Sequence, residues 1–466
     1  MKKIAMIVMN SVVQDSRVLR EADSLAGAGY HVRVFGVRDE RAKANFVTRN
    51  SGAEIQLSDC KIEAMDFVSR TIASFGIAMC MALSAFAVSI TIWPEVLRAG
   101  IGVVLVVAAF LWIRVEYEKT IRIIRQMQSE GKSAEYGTLE GFFVRARNLR
   151  LVLFRWAMRF TTRNHIVRMI AEFHPDAIHC HDAGTLDIGR RYAASVRWRL
   201  KFVFDSHEIC SEMNGQTDKH RQEIRDIQTR VAPFLDGFIT VNEGVAAVLE
   251  RDYPRFPAPV IVKNAFRKLP EPVKYDGRLH RLLEIPFQDY IILFQGGIGM
   301  HRNLDILVEI ARKIGLPFHV VVMGNGPHAD NLLAQARSLK NFHLIYGVPQ
   351  AELIQWTAGA SFGIIPYADT SLNHRYCTPN KLWEYPAAGV PIIAANLPEL
   401  TKAIMENRIG WITQNPMTAD FVVDLVNAIT PEDWQEKRDA CLKFNQSDNW
   451  EKYADRLIGL YRRLIP

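Results

Sequence analysis

The sequence predicts an α/β protein with two doubly wound, Rossmann-like domains and a transmembrane or re-entrant helical hairpin inserted into the first of them. Three observations support this fold class. Short apolar strands alternate with helical stretches near the start of the chain and again from about residue 175 onwards. A stretch rich in proline and charge, within residues 269–289, separates two such series. Between residues 60 and 165 the alternation gives way to two long uncharged runs.

Composition favours a multidomain globular protein. The chain has 466 residues, of which 49% are hydrophobic and 23% charged, and this length allows two or more domains with cores of their own. The six cysteines stand singly and form no C-x-x-C pair, which argues against a disulfide framework or a structural zinc site and fits a reducing cytosol. They are Cys60, Cys80, Cys180, Cys210, Cys377 and Cys441.

The first β-α-β unit is predicted from residues 4–36. Residues 4–9 and 31–36 are apolar enough for buried strands, and Asp15 with Ser16 can cap a helix that runs from Arg17 to about Ala28. The connection should cross over in the right-handed sense. Since no glycine-rich dinucleotide fingerprint follows the first strand, a nicotinamide-dependent enzyme is not favoured.

Polar residues follow several later strands of this domain, where the carboxyl ends of parallel strands place ligands. The three sets are His181-Asp182, Asp205-Ser206-His207-Glu208 and Asn242-Glu243. His179 and His181 share one strand face, so a metal site was weighed; no further Cys or His cluster completes it, and we expect no metal. His207 is either a functional residue or a cap of the next helix.

The second domain opens with a strand, a run of glycines and a helix. The strand at residues 290–294 is followed by Gln295, Gly296, Gly297, Ile298, Gly299 and Arg302. This order suggests a backbone that approaches a phosphate, with Arg302 adding charge. A P-loop is excluded because the Lys-[Ser/Thr] pair is absent. Further strands are predicted at residues 319–323, which precede Gly324 and Gly326, and at residues 342–346 and 362–366.

Residues 377–393 are predicted to form a loop, a short helix and a buried strand. Thr378 can cap the helix, Pro379 suits its first turn, and Gly389 should end it. The helix N-terminus near Asn380, Lys381 and Leu382 suits a phosphate. Glu384 could accept hydrogen bonds from the diol of a nucleotide ribose, and the alternative is a solvated glutamate.

Two uncharged runs predict the inserted hairpin. Thr71–Trp93 is free of charge over 23 residues, enough for the roughly 30 Å hydrocarbon core, and Ala99–Ile113 follows with 15 residues. Arg70 on one flank and Arg114 on the other place both ends on the cytoplasmic side. The alternative is a buried helical pair in a soluble domain.

A basic segment follows the hairpin. Between Arg114 and Arg168 there are twelve basic and five acidic residues, an excess equal to the net charge of +7 of the whole chain. Its position beside an apolar segment favours membrane lipids over nucleic acid as the partner. In residues 144–169 arginines alternate with apolar residues, which indicates a helix at the lipid interface or, alternatively, a packed helix with a solvated arginine face.

Several of these blocks resemble the GT-B glycosyltransferases, specifically the retaining family 4 group. Glu384 and the segment Ala388–Ile393 match the second half of the family's acid-x7-acid signature, whereas Tyr376 stands where the first acid belongs. Residues 15–29, the P-D-x-x-H-x-H-D block at 175–182, the D-S-H-E block at 205–208 and Gly324-Asn325-Gly326-Pro327 also resemble the family. The family commonly has an arginine directly after the first glycine, where this chain has Gly297, and a lysine where it has Arg302.

The resemblance implies a domain plan with a cleft between the two domains. Residues 1–268 form the acceptor-side domain, interrupted by the insertion at 60–165. Residues 269–289 are the hinge, residues 290–445 bind the nucleotide sugar, and residues 446–466 form a closing helix that packs back on the first domain.

The resemblance also implies roles for individual residues. His207, Arg302 and Glu384 would carry catalysis, with His207 at the sugar, Arg302 at the leaving diphosphate and Glu384 at the ribose. Further donor contacts are expected from Gly296, Gly297, Gly324, Gly326, Asn380, Lys381 and Leu382. Acceptor-side contacts are expected from Asp15, His181 and Asp182.

The function expected on these grounds is a retaining, metal-independent glycosyltransferase without a cofactor. It would move a sugar from a nucleotide-diphosphate sugar to a lipid-linked saccharide acceptor in cell-surface polysaccharide synthesis, at the cytoplasmic face of the inner membrane. Two alternatives remain open. One is a GT-B nucleotide-sugar epimerase, and the other is a catalytically silent scaffold in a membrane-bound polysaccharide assembly, motivated by Tyr376 and Gly297.

Overall fold

The structure is a computed structural model that describes residues 1–13, 15–59 and 157–466. The chain divides into two compact units. One comprises Met1–Leu57 together with Met169–Pro466, and the other comprises Ser58–Arg168. The first unit contains both predicted Rossmann-like sheets, and its two sheets define what are called here the N-terminal half and the C-terminal half.

The sheet of the N-terminal half has eight strands within the described residues, in the order β3-β4-β2-β1-β5-β6-β7-β8. The pairs on both sides of β1 and all pairs from β5 to β8 are parallel, whereas β3 and β4 are antiparallel. The strands are β1 Lys3–Ile7, β2 His31–Val37, β3 Phe46–Thr48, β4 Glu54–Ser58, β5 Ala177–His181, β6 Lys201–Ser206, β7 Gly237–Thr240 and β8 Pro259–Ile261.

The sheet of the C-terminal half has six described strands in the order β11-β10-β9-β12-β13-β14, and every pair is parallel. They are β9 Tyr290–Gln295, β10 Phe318–Met323, β11 Phe342–Ile345, β12 Phe362–Ile365, β13 Ile392–Ala395 and β14 Gly410–Thr413. Two mainly parallel sheets with helices between their strands confirm the predicted α/β class of doubly wound domains.

Helices connect the strands of both halves. The described helices of the N-terminal half are Ser16–Gly27, Leu186–Ser195, Asp218–Val231 and Glu243–Asp252. Those that follow are Arg278–Leu283, Asp305–Ile314, Ala329–Gln335, Leu353–Thr357, Leu372–Arg375, Lys381–Ala387, Pro398–Asn407, Ala419–Ala428, Pro431–Ser447 and Trp450–Leu464. Short 3-10 turns occur at Ala183–Thr185, Cys210–Glu212, Ala232–Phe234, Met300–Arg302 and Gln350–Glu352.

The first helix forms for the reasons that its sequence indicates. The Asp15 carboxylate accepts a hydrogen bond from the Val18 N–H at 3.3 Å, which satisfies one free donor of the first turn. Val18, Ala22 and Leu25 recur at helical spacing and are fully buried. Gly29, at φ +93°, lies in the left-handed region just beyond the end of the helix.

Thr378 does not cap the next important helix, contrary to the sequence prediction. The helix Lys381–Ala387 begins after Asn380 without a side-chain cap. The Thr378 hydroxyl instead accepts a hydrogen bond from Asn242 Nδ2 at 3.0 Å, because a contact between the two halves competes with local capping. The helix does end before Gly389, whose φ is +72°.

The last helix packs on the N-terminal half. In Trp450–Leu464, the indole N–H of Trp450 donates to Ser24 Oγ at 2.9 Å. Arg456 donates to the carbonyl oxygen of Ile261 at 3.2 Å, and the Tyr461 hydroxyl lies 3.0 Å from His179 Nδ1. The end of the chain therefore ties the two halves together beneath the first sheet.

The predicted hairpin at Thr71–Ile113 lies outside the described residues. Within the part of the chain that the structure describes, no helix is both long and apolar enough to cross a membrane. The basic segment is described only from residue 157, and residues 157–173 are helical. There Ile166 is buried while Arg159 and Arg168 are exposed, the arrangement that packing with a solvated arginine face would give.

Candidate active site

A cavity of about 500 Å³ lies where the carboxyl ends of the two sheets face each other. The N-terminal half lines it with His207 and Glu208 after β6, and with Asn264 after β8. The C-terminal half contributes residues that follow β9, β10 and β12 and the start of the helix Lys381–Ala387. These are Gln295, Gly296, Gly297, Arg302, Gly324, Tyr367, Asn380, Lys381 and Glu384.

Two cations of the C-terminal half converge on one phenol oxygen. Arg302 Nη1 donates to the Tyr367 hydroxyl oxygen at 2.9 Å, and Lys381 Nζ donates to the same atom at 3.0 Å. Lys381 Nζ also lies 3.7 Å from the centroid of the Phe294 ring. Burial, followed by the charge of Arg302, lowers the pKa of Lys381 well below its usual value. Among the described residues no carboxylate forms an ion pair with either side chain, although the charge of Glu384 opposes the fall in the pKa of Lys381.

The glycines beside these cations allow close backbone approach. Gly296 has φ +121°, a backbone conformation that other residues rarely adopt, and its position lies 3.6 Å from the Lys381 ammonium when measured from an ideal Cβ. A Cβ at Gly324 would collide with the carbonyl oxygen of Gly296, and one at Gly326 would collide with that of Ile298. Gly297 faces the Arg302 guanidinium. These glycines hold the turn after β10 tightly against the loop after β9.

Glu384 is buried and hydrogen-bonded at the base of the cavity. Its Oε2 accepts from Gln295 Nε2 at 2.7 Å, and Gln295 Oε1 in turn accepts from the Thr357 hydroxyl at 2.7 Å. Burial raises the pKa of Glu384, and the Gln295 hydrogen bond opposes that rise. Glu384 is thus not the solvated helix glutamate of the alternative interpretation.

His207 is held between two carboxylates. Its Nε2 lies 3.0 Å from Asp205 Oδ2, and its Nδ1 lies 3.4 Å from Asp182 Oδ2. Burial alone would lower the pKa of His207, but Asp182 and Asp205 raise it to about 9. His207 is therefore a cation at neutral pH, with both ring nitrogens facing protein carboxylates. It does not cap the next helix, since the helix Asp218–Val231 is capped by Thr217.

Beneath His207 lies a buried cluster of charged and titratable groups. Arg17 bonds both oxygens of Asp205, at 2.9 and 3.2 Å, and its Nε lies 3.0 Å from Glu21. Burial, followed by the charge of Asp205, raises the pKa of Glu21 to about 8. Burial opposes ionisation of Asp205, yet Arg17 and His207 keep its pKa well below the usual value. The negative charge of this cluster is therefore compensated by Arg17 and His207.

The same cluster contains enough ligand types for a metal site, because the fold brings Glu21 and Asp205 next to His179 and His181. Ligand atoms of Glu21, His179, His181 and Asp205 all lie within 4.8 Å of one another. However, the Arg17 guanidinium already supplies the positive charge that Asp205 requires, and a second cation beside it would be repelled. The expectation that the enzyme uses no metal stays a prediction.

A second cavity of about 330 Å³ adjoins the first. His207, Asn264 and Asn380 line both. The remaining lining comes mainly from polar residues near the start of the chain and after β2. These are Asn10, Ser11, Val12, Asp15, Ser16, Arg17, Asp39 and Arg41. Asp15, expected on the acceptor side, is thus placed in the cavity next to the one that contains Arg302 and Lys381.

Three expected site residues occupy other places. His181 and Asp182 line neither cavity; His181 Nδ1 lies 3.1 Å from His207 Nε2, and Asp182 Oδ1 accepts the His207 N–H at 3.0 Å. They support His207 rather than face a ligand directly. Leu382 is fully buried in the core and lines only a small cavity of about 250 Å³ behind the helix. Its side chain belongs to the packing of the helix that carries Lys381 and Glu384.

Sequence reasoning missed residues that organise the site. Tyr367 was not singled out, although it follows β12 at the carboxyl end of a buried strand. Gln295 is the last residue of β9 and was treated only as part of the glycine run. Asn373 has no comparable signal, because it lies in the short helix Leu372–Arg375 and meets the N-terminal half only in the folded protein.

Comparisons with known proteins agree with this architecture. The profile of Glycosyl transferases group 1 matches residues 289–430, and that of Glycosyltransferase Family 4 matches residues 122–264. D-inositol 3-phosphate glycosyltransferase of Streptomyces scabiei is 24% identical over 310 residues, which cover 62% of this chain and 68% of the relative.

Two solved structures share the fold at low sequence identity. Sucrose-phosphate synthase from Thermosynechococcus elongatus superposes with a TM-score of 0.65 at 14% identity, covering 100% of this chain and 99% of the other. Anabaena HepE in complex with UDP-glucose superposes with a TM-score of 0.60 at 10% identity, covering 100% and 98%. The paired parallel sheets, the cleft between them and the two family matches together show that this chain is a glycosyltransferase with the GT-B fold of the group 1 and family 4 enzymes.

Proposed function

We propose that the protein transfers a sugar from a nucleoside diphosphate sugar, with retention of configuration and without a metal ion. The observation that carries this proposal is the convergence of Arg302 and Lys381 on the Tyr367 hydroxyl. Lys381 is buried and Arg302 is partly buried, and neither has an ion-pair partner among the described residues. Together they form a site for an anion with more than one charge. A diphosphate fits such a site, and it gains charge as the glycosidic bond breaks.

The neighbouring residues suit the rest of the donor. Gly296 and Gly297 let the backbone approach the diphosphate next to Arg302. Glu384 lines the same cavity and can accept hydrogen bonds from a ribose diol while Gln295 holds its Oε2. HepE, which shares the fold, has been solved with UDP-glucose, and this supports a nucleotide sugar as the donor here.

The proposed metal independence is supported by the same arrangement. Arg302 and Lys381 supply the positive charge that a divalent metal provides in other glycosyl transfers. We expect that treatment with a strong chelator, followed by removal of the chelated metal, leaves turnover unchanged. A loss of turnover that added Mg²⁺ or Mn²⁺ restores would contradict this part of the proposal.

Retention of configuration is proposed from the resemblance to family 4. It is tested by NMR, which reads the anomeric configuration of the product formed with an α-linked donor. An α-linked product agrees with retention, and a β-linked product contradicts it.

The acceptor is proposed to carry sugar hydroxyl groups. The second cavity adjoins the proposed diphosphate site, and Asn10, Asp15 and Asp39 give it oxygen and amide groups that bind hydroxyls. We further propose a lipid-linked saccharide at the cytoplasmic face of the inner membrane, in cell-surface polysaccharide synthesis. This part rests on the uncharged runs at residues 71–93 and 99–113 and on the basic residues after them.

A deletion tests the membrane part separately. Removal of residues 68–115 should leave binding of a nucleoside diphosphate intact, since Arg302, Lys381 and Glu384 lie in the C-terminal half. It should release the protein from membranes and lower transfer to a lipid acceptor. Normal membrane association and normal transfer by the deletion variant would contradict the proposed membrane role of residues 68–115.

The donor is identified by screening nucleotide sugars for thermal stabilisation and then for turnover with a membrane extract. A ligand at about 100 times its dissociation constant should add roughly 2.7 kcal/mol of stability. Release of nucleoside diphosphate that depends on the extract supports transfer. Conversion of the donor to an epimer without extract would indicate the epimerase, and binding without any turnover would indicate the silent scaffold.

A further inference from the structure

Glu208 is a carboxylate in the large cavity to which neither the sequence resemblance nor the proposed donor contacts give a role. It follows His207 at the carboxyl end of β6, and its carbonyl oxygen accepts from the Ser206 hydroxyl at 2.8 Å. Its side chain lines the cavity that contains Arg302 and Lys381, but not the second cavity that contains Asp15. Glu208 therefore faces the proposed donor side of the cleft.

The position of this carboxylate is fixed from the opposite half of the molecule. Asn373 Nδ2 donates to Glu208 Oε2 at 3.0 Å, and Asn373 Oδ1 accepts the Ile209 N–H at 3.0 Å. One asparagine thus holds both the carboxylate and the following peptide group. The bond uses Oε2, and no described residue is recorded as a hydrogen-bond donor to Oε1.

The electrostatic surroundings of Glu208 differ from those of a structural ion pair. Burial, followed by the charge of Asp182, raises the pKa of Glu208, while His207 and Arg302 act in the opposite direction. Within the described residues no lysine or arginine lies within salt-bridge distance of its carboxylate. Arg302 and Glu208 line the same cavity, so a group bound next to the diphosphate would share this cavity with the Glu208 carboxylate.

We propose that Glu208 accepts a hydrogen bond from a hydroxyl of the transferred sugar and thereby selects among donor sugars. The inference rests on the proposed function: if Arg302 and Lys381 hold the diphosphate, the sugar joined to it extends into the part of the cavity that Glu208 lines. A sugar hydroxyl is a neutral donor, which suits a partly buried carboxylate that lacks a cationic partner.

Two variants test whether Glu208 binds the sugar or only connects the two halves through its hydrogen bond with Asn373. Glu208→Gln keeps a side-chain oxygen that Asn373 can still bond, but it loses the negative charge that binds the sugar hydroxyl. Asn373→Ala removes the contact between the halves and the hydrogen bond to Glu208 Oε2, but it keeps the negative charge of Glu208. Glu250→Gln, on the exposed face of the helix Glu243–Asp252, is the matched control.

The experiment compares the affinity for the nucleoside diphosphate, the affinity for the intact donor, and kcat/KM over donors that are epimeric or deoxygenated at single positions. For Glu208→Gln we expect unchanged affinity for the nucleoside diphosphate. The kcat/KM for the preferred donor should fall by about 10- to 100-fold, since hydrogen bonds to charged groups are the strong ones. For the donor that lacks the hydroxyl bound by Glu208, kcat/KM should be nearly the same in Glu208→Gln and in the parent. The variant should therefore discriminate less than the parent between donors that differ at that sugar position.

The other variants and outcomes decide the inference. Asn373→Ala should change kcat/KM by one common factor for all donors and preserve their ranking, and Glu250→Gln should match the parent. The inference is overturned if Glu208→Gln keeps the parent's discrimination, or if its affinity for the nucleoside diphosphate falls in parallel. A parent that turns over no nucleotide sugar would overturn the proposed function, and the inference with it.

Discussion

The two halves of the cleft differ in whether their charged side chains are paired with groups of opposite charge. In the N-terminal half, Arg17 bonds both oxygens of Asp205, and His207 lies between Asp205 and Asp182. In the C-terminal half, Arg302 and Lys381 share only the Tyr367 hydroxyl oxygen. The first cluster is neutralised by the protein itself, whereas the second has no carboxylate partner among the described residues.

This difference separates the groups that shape the site from those that bind the ligand. A compensated buried cluster contributes rigidity, and removal of one member leaves the others unpaired. An uncompensated pair of cations weakens the folded state slightly and gains its partner only when an anion binds.

Asp205→Asn should have the largest effect, and on stability. It removes the counter-charge of Arg17 and of His207, and breaking a buried ion pair in this way costs about 3–5 kcal/mol. The free energy of unfolding, measured by denaturant titration, should fall accordingly. Asp455→Asn, at an exposed position of the last helix, is the control. A loss no greater than that of the control would show that the cluster is not structural.

Arg302→Ala and Lys381→Met should lower the affinity for the ligand and leave the stability of the fold largely unchanged. Truncating a charged group that bonds a buried partner charge costs about 2–5 kcal/mol of binding, so affinity for the nucleoside diphosphate should fall by about 30-fold or more. The KM for the donor should rise and kcat should fall. The free energy of unfolding should stay constant or increase, because each change removes a basic side chain that has no ion-pair partner among the described residues.

Calorimetry and thermal unfolding measure these two effects on the same samples. Lys340→Met, which removes an exposed lysine, is the control for the loss of charge. A large loss of stability in Lys381→Met with unchanged affinity would place Lys381 with the structural cluster instead.

Glu384→Gln should weaken donor binding by about tenfold or more, since a charged acceptor for the ribose hydroxyls is lost while Gln295 can still be bonded. The loss should vanish with a nucleoside diphosphate that lacks both ribose hydroxyls. Equal losses with the normal and the dideoxy ligand would contradict the assignment of Glu384 to the ribose.

Binding of the diphosphate should depend on pH through Lys381. In the free protein, burial and Arg302 lower the pKa of Lys381 well below its usual value, and a bound diphosphate would raise it again. Between these two pKa values binding therefore takes up a proton, and affinity falls as pH rises by up to about tenfold per pH unit.

Calorimetry in buffers with different ionisation enthalpies detects the proton. It should be done at pH values where the diphosphate itself is fully ionised. Lys381→Met should show neither proton uptake nor this decline. If the parent protein takes up no proton over the range, Lys381 is already fully charged in the free cavity.

The features that could be predicted from the sequence are those that depend on residues close together in the chain. The strands after which Gly296, His207 and Gly324 lie were predicted because buried parallel strands are short apolar runs. Arg302, Lys381 and Glu384 were expected at one site because each follows a strand or begins a helix next to one. The structure brings all three to the same cavity.

The features that were missed depend on contacts between distant segments. Thr378 has the sequence of a helix cap, yet it bonds Asn242 across the cleft. His181 and Asp182 follow a strand as ligand-binding residues do, but the approach of Asp205 and His207 turns them into supports. The strands β3, β4 and β14 were also not predicted, although β11, which is as short as β14, was.

The central claim is that Arg302 and Lys381 bind the diphosphate of the donor. The most direct measurement is the affinity of the parent, Arg302→Ala and Lys381→Met for a nucleoside diphosphate and for the nucleoside alone. We expect both variants to lose affinity for the diphosphate by about 30-fold or more, while affinity for the nucleoside stays that of the parent. Equal losses for the two ligands, or no loss for the diphosphate, would contradict the claim.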